Sequence, residues 1–536
     1  MKNTFKISLQ LIIFFVFSIT SVFSQTLKDA IKFTNNEQFE SATSAFNQLI
    51  KLEPMNGDNY FYLGDNYFKS EDPDSAKISY QKGIEVAPEN ALNYVGVGKV
   101  LWYKNDTTAK SYFSKALQMS KSKDATVLMK IAEVYIKADK KNLPEAFILL
   151  NLAAKREHKN PDVFVLMGDA FLEENNGSQA ILNYEKATSL DTSSTKAILR
   201  IGQLYGRARN YSLSFEYYEK ANAIDSSFAP AYREKAELYY HAQQFDKAIA
   251  QYKKYLQLNN NLSARIRYAS FLFLNKQYAK AISEIYEIQK QDTSRVVLYR
   301  LLAYSYFETG DYPNGLLNIN KFFERAEKGK TKILSSDYQY QGKLLSKTGQ
   351  DSLAVIALTK AIQTDSSEIE LYNEIGVLNY KLKKYPHAIA AFEKRIELRN
   401  GASVNDLNAL GRAFYFNKEY HKSDSTFAKI IEAKPELLVG YFWRARSNVK
   451  MDPELKSGAA KPFYEAYIEK AQSDVEKNKR DLIEAYSYMA AFYGLNKDNA
   501  NAKTYYAKVL ELDPENSNAK TFMTSKEANS VSKEGK

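Results

Sequence analysis

The sequence predicts an all-α chain, a solenoid of about fourteen stacked helix–turn–helix repeats. Three observations lead there. A 34-residue pattern runs three times without a gap from Pro161 to Leu262. Met167, Gly168, Phe171, Ala180, Tyr184 and Ala187 recur as Ile201, Gly202, Tyr205, Ser214, Tyr218 and Ala221, then as Lys235, Ala236, Tyr239, Ala248, Tyr252 and Tyr255. Each unit carries two stretches with apolar residues at helical spacing. At 536 residues the chain is also too long for one compact core, a limit that repeats escape because each packs only on its neighbours.

Residues 1–24 stand outside the array. Lys2 and Lys6 precede a mostly apolar run from Ile7 to Ile19, and Val22 and Ser24 fit the −3 and −1 positions of a signal-peptidase site. The expectation is a cleaved secretory signal with Gln25 as the mature start. The run is too short and too interrupted to span a bilayer, which takes about 20 apolar residues, and no later segment is apolar enough.

Repeats one to four are expected over 25–160. Repeat one holds Ala30, Phe33, Ala42 and Phe46. Repeat two follows with Tyr60, Leu63, Gly64, Tyr67, Ala76, Tyr80, Gly83 and Pro88, and Pro54 to Pro88 again spans one period. Repeat three is a residue short before Ala109 and Phe113. Repeat four carries Leu128, Ile131, Ala132 and Tyr135. Repeats five to nine occupy 161–330, ending in a polar extension from Glu327. Repeats ten to fourteen occupy 331–516, marked by Gly342, Gly376, Gly411, Ala445 and Ala490, with a long connection at 451–462 in repeat thirteen. Residues 517–536 are polar and poor in rings, and a disordered tail is expected there.

Repeat two resembles the tetratricopeptide repeat, whose pattern is W-x2-L-G-x2-Y, then A-x3-F, then P. Small residues at positions 8 (Gly64, Gly98, Gly168, Gly202) and 20 (Ala76, Ala180, Ala248) let paired helices approach, and rings at positions 11 and 24 fill the space between them. Proline at position 32 ends the second helix because it has no N–H to continue the ladder. The resemblance implies a right-handed superhelix whose first helices line a concave groove. It implies a scaffold for protein or peptide partners and fixes no chemistry.

Aspartates at position 31 (Asp191, Asp225, Asp292, Asp365, Asp513) are expected to bond local backbone and cap the next helix. A second set, beginning at Asp74, Asp106, Asp351 and Asp424, is expected to cap second helices. These triplets also resemble the Asp-Ser/Thr-apolar acceptor of O-glycosylation in exported Bacteroidota proteins, which would place glycans on Ser75, Thr107, Ser352 and Ser425.

Composition excludes several functions. There is no Cys, so disulfides, thiolate metal sites and thiol nucleophiles are absent. The four His lie far apart, and no phosphate-loop, nucleophile-elbow or zincin motif occurs. Catalysis, cofactors and metals are not expected. The net charge of +11 is spread thinly without a basic run, which argues against nucleic acid.

Arginine alone is uneven: eight of the 16 fall between 200 and 300. In the family the groove is lined mainly by first-helix positions 2, 5, 9, 12 and 13, with 6 close by. Those positions hold Lys196, Arg200 and Arg207 in repeat six, Arg233 in repeat seven, Arg267 in repeat eight and Arg300 in repeat nine. Tyr240, Phe273, Tyr304 and Phe307 stand beside them. Guanidinium forks suit carboxylates and ring faces, so an acidic or aromatic peptide segment is the expected partner. The competing expectation is that these arginines pair with neighbouring acids such as Glu234 and Glu237. Lys196 and Arg200 match the last two positions of the family's carboxylate clamp, but Met129, Glu133 and Leu166 replace its earlier ones, so that activity is not carried over. The signal ending and the Lys- and Asn-rich composition resemble periplasmic Bacteroidota proteins, which implies support of an envelope machine for secretion, outer-membrane transport or gliding. Alternatives are a glycan- or peptidoglycan-binding protein and a structural spacer.

Overall fold

The computed structural model describes residues 26–329 and 331–525. The expected signal segment and its cleavage site lie outside the described residues. Two compact units divide between Thr293 and Ser294, inside the 161–330 block.

Among the described residues the secondary structure is helical and each repeat is a helix pair. In the first unit the pairs run from Leu27–Asn35 with Phe39–Leu52 to Leu262–Leu274 with Tyr278–Gln289. In the second they run from Val296–Thr309 with Tyr312–Gly329 to Val475–Leu495 with Asn499–Leu512. No described helix is long and apolar enough to cross a membrane.

Local chemistry sets the boundaries. Asn56, Asn90, Asp124, Asn160 and Ser194 each accept a backbone N–H as the cap of a first helix, which satisfies donors the helix leaves orphaned. The turn inside a repeat places one residue in the left-handed region, at Glu37, Glu71, Asn105, Asn175, Arg209 and Gln243. Glycine takes that place at Gly310 and Gly349. Position 31 works as a turn clasp: Asp191 accepts from the N–H and Oγ of Ser193, and Ser194 caps the next helix.

Of the second Asp-Ser/Thr set, Asp106 accepts from the Thr108 N–H just before the helix Ala109–Met119, as expected, and the other three depart. Asp74, Asp351 and Asp424 lie within helices Pro73–Val86, Asp351–Thr364 and Tyr420–Ala433. Asp72, not Asp74, caps its helix, because Pro73 takes the first helical position, where its missing N–H costs nothing. Asp424 instead forms a two-pronged pair with Arg444, at 2.8 and 2.9 Å.

The small residue at position 8 performs the role the pattern assigns it. A Cβ on Gly64, Gly168 or Gly202 would lie 2.4–2.5 Å from the ring of Tyr80, Tyr184 or Tyr218 in the partner helix. These tyrosines are almost wholly buried, so the ring fills the space the missing methyl leaves.

The C-terminal end also differs. Ser517–Met523, at the start of the expected tail, is a helix, and residues 526–536 lie outside the described residues. Asn516 caps it, Ala519 is fully buried, and the Phe522 ring packs 4.7 Å from Tyr506. One alanine and one phenylalanine at helical spacing suffice to cover the open face of the last repeat.

The first unit returns on itself. Asn36 donates to Asp225 (2.9 Å) and Ser227 (3.0 Å), and Lys32 lies 3.0 Å from Asp225. Glu37 meets Arg233 at 2.5 Å and the Tyr255 hydroxyl at 2.8 Å. Glu71 accepts from Ser263. The opening repeats thus touch the sixth, seventh and eighth.

Candidate functional site

First helices carry the candidate residues, and position in the repeat determines which face each occupies. In the first unit, one open concavity of about 470 Å³ brings together Arg200, Arg207, Arg209, Tyr211, Glu234, Glu237 and His241. Arg233, Tyr240 and Arg267 adjoin it through Glu234, Glu237 and their ring contacts.

Most of the arginines already have a carboxylate. Arg200 Nε lies 2.8 Å from Asp169, whose other contact is the buried Tyr184 hydroxyl. Burial disfavours the guanidinium's charge, but Asp169, with Tyr184 and Glu234, outweighs that and raises its pKa. Lys196 pairs with Asp162 at 2.8 Å. Arg233 bonds Glu37 and Glu234. Arg267 grips Glu237 with two prongs, at 2.9 and 2.5 Å, and lies 4.6 Å from the Tyr240 ring centre. The Phe273 ring packs on Tyr278. Arg207 and Arg209 are exposed and make no ion pair among the described residues.

In the second unit Arg300 holds Asp337 at 2.7 and 2.8 Å and donates to the Lys332 carbonyl. Tyr304 bonds the same Asp337 and stacks 3.8 Å from Tyr340, which Phe307 meets edge-on. Arg300, Tyr304 and Phe307 therefore belong to a different unit from the other seven. Arg412 also stands on a first helix here. It lies over Trp443 and makes no ion pair among the described residues.

Attention to arginine missed a lysine cluster in repeats two to four. A cavity of about 180 Å³ is lined by Asp65, Lys69, Lys99, Lys130, Glu133 and Lys137, with Phe61, Phe68 and Tyr103 as apolar walls. Asp65 is buried and accepts from Tyr80 (2.9 Å), Lys99 (3.0 Å) and Lys130 (2.5 Å). Burial alone would raise its pKa, but Lys130 and Lys99 hold it well below the carboxylate range. Glu133 takes Lys137 at 2.5 Å. Lys69 has an amide partner, Asn35, at 3.3 Å. These residues occupy inner-face positions 6, 9 and 13.

Comparisons with known proteins agree with the helix pairs. Tetratricopeptide repeat family models match residues 58–90, 195–228, 233–294 and 483–516. The C-terminal part of a TPR repeat-containing protein from Cytophaga hutchinsonii is 38% identical, matched over 48% of this chain and all of that one, with a TM-score of 0.42. A tetratricopeptide repeat protein from Parabacteroides merdae is 18% identical over 48% of this chain and 99% of that one, with a TM-score of 0.34. A curated relative, tetratricopeptide repeat protein 37 of Xenopus laevis, is 23% identical over 142 residues, which are 25% of this chain and 9% of the relative.

Proposed function

Because this chain belongs to the tetratricopeptide repeat family, we propose that it is an exported scaffold that binds an acidic protein segment along the inner wall of its first unit. The family and the paired helices make it a scaffold suited to protein–protein interaction. The finer reading rests on one observation. Along a wall where Arg200, Arg233 and Arg267 are each matched to a carboxylate, Arg207 and Arg209 are exposed and have none among the described residues. A partner carboxylate can take these two without breaking an existing pair, and it avoids the cost of stranding a half-buried acid.

The paired arginines then serve as fixed framework. Their forks and stacked rings, such as Arg267 over Tyr240, stiffen the wall around the free pair. Export is supported by the Lys2 and Lys6 start, the apolar run and the small residues before Gln25. The Bacteroidota-like signal and composition support a role in an envelope complex. A binding role without catalysis fits the absence of any nucleophile or metal motif in the sequence.

The test is crosslinking in cells of the native chain and of an Arg207→Glu/Arg209→Glu variant, with mass spectrometry of what is captured. The expected result is a partner whose capture falls about tenfold or more in the variant, since each exposed charge pair is worth up to about 1 kcal/mol and reversal doubles the penalty. Undiminished capture would refute the assignment. Capture of glycan fragments in place of protein would favour a carbohydrate-binding role.

A further inference from the structure

The lysine cavity in repeats two to four has a charge imbalance that its own residues leave uncorrected. Four ammonium groups, Lys69, Lys99, Lys130 and Lys137, line it with two carboxylates, Asp65 and Glu133. Asp65 is saturated by Tyr80, Lys99 and Lys130. Glu133 is engaged by Lys137 at 2.5 Å and more distantly by Lys130 at 3.8 Å. That leaves Lys69, bonded to the neutral Asn35 amide, and a surplus of two positive charges when every lysine is protonated.

We propose that this cavity is a binding site for a dianion of the phosphate-monoester type, whose two charges match the surplus. Lysine donates as a compact point charge with no planar fork to match and commonly binds phosphate. The cavity is roomy enough for a phosphoryl group with a small substituent. The rings of Phe61, Phe68 and Tyr103 and the Val95 and Val134 side chains form its wall and would cover that substituent. Lys99 already lies 4.2 Å from the Phe68 ring centre, so the donors are held in place before any ligand arrives. This inference goes beyond the scaffold reading and stands on different repeats from Arg207 and Arg209.

Lys69 supplies an independent signature. Its side chain reaches solvent along the channel but stands among helices Leu27–Asn35, Ala91–Tyr103 and Ala125–Lys137. The groups facing it are Asn35, Lys99, Tyr103, Lys130, Glu133 and Lys137, with Asp65 on its own helix. Burial first, and then Lys130, push its ammonium down to about 7, against the opposing pull of Glu133 and Asp65. A bound dianion would reverse that pressure, so binding takes up a proton at Lys69. Affinity then weakens as pH rises through about 7.

The experiment is calorimetric titration of the full chain with inorganic phosphate and with phenyl phosphate at low ionic strength, at about pH 6 and about pH 8. Acetate serves as the monoanion control. A parallel NMR titration follows Lys69 Cε. The expected results are saturable binding of both phosphates, tighter for phenyl phosphate and several-fold weaker for acetate. Affinity for the dianion, corrected for each phosphate's own second ionisation at about pH 6–7, should fall about tenfold toward the higher pH, and the Lys69 midpoint should rise when phosphate is present. Lys69→Gln should lower affinity about tenfold and flatten the pH dependence. Lys343→Gln, in the other unit, should change neither, and circular dichroism confirms that both variants are folded. Acetate binding as tightly as phosphate, Lys69→Gln behaving as the unmodified chain, or a Lys69 midpoint indifferent to phosphate would each overturn the proposal.

Discussion

Adding one methyl group at Gly168 should loosen the fifth repeat more than its size suggests. A Cβ there would sit 2.4 Å from Tyr184 Cε1 and 2.6 Å from Cδ1, so something has to move. The ring cannot swing freely. It is fully buried, and its hydroxyl donates to Asp169 at 2.8 Å, the same carboxylate that holds Arg200. Overpacking costs about 1–3 kcal/mol, and losing a hydrogen bond to a charged group adds about 1.5–3. Alanine's better helix propensity returns about 1. The net expectation for Gly168→Ala is a loss of about 1.5–5 kcal/mol. Gly177→Ala is the matched control, because its Cβ would meet only Leu204 Cδ1, at 3.7 Å. Repeat arrays need not unfold in one step, so the assay is hydrogen exchange read by mass spectrometry over Pro161–Leu190. Protection should fall there in Gly168→Ala and hold or rise in Gly177→Ala. Equal protection in both variants would refute the packing argument.

Two further predictions concern the contact that closes the first unit. Glu37→Ala removes the Arg233 pair and the Tyr255 contact and should cost about 1–3 kcal/mol of local stability, less than a fully buried pair. A double-mutant cycle with Arg233→Ala checks this, and additive effects would show the pair to be inert. Asp225 makes the same contact sensitive to acid. Burial would raise its pKa, but hydrogen bonds from Ser227, Asn36 and Lys32 lower it from 3.8 to about 2. A depressed carboxylate stabilises the fold fully above its unfolded value and loses that contribution as pH falls through the folded one. About 2 kcal/mol is therefore expected to vanish between about pH 4 and about pH 2, seen as earlier exchange in Leu27–Asn35, and Asp225→Asn should abolish that step.

How legible all this was depends on the range of each interaction. The pairing of Gly168 with Tyr184 spans sixteen positions inside one repeat, so periodicity exposes it directly. Arg267 with Glu237 spans thirty, still within one repeat period, and the acid could be named in advance. Glu37 with Arg233 lies beyond that horizon. A 34-residue pattern specifies how neighbours stack, but a small rotation per repeat decides which distant turns meet. The lysine cavity was hidden for a different reason: Lys and Glu are common on solvated helix faces, and only their convergence around buried Asp65 gives them meaning. At the C-terminus, low ring content suggested disorder, yet Ala519 and Phe522 together seat a last helix, Ser517–Met523.

The return contact in the first unit also bears on how such a chain can change length. An open array tolerates insertion or deletion of a whole repeat, since every junction is alike. Here Lys32, Asn36 and Glu37 must arrive opposite Asp225, Ser227, Arg233 and Tyr255. One repeat more or fewer between them would present the wrong turn at that place. The contact acts as a counter that fixes the number of intervening units, and duplication in this part of the gene should be tolerated only outside the interval it spans.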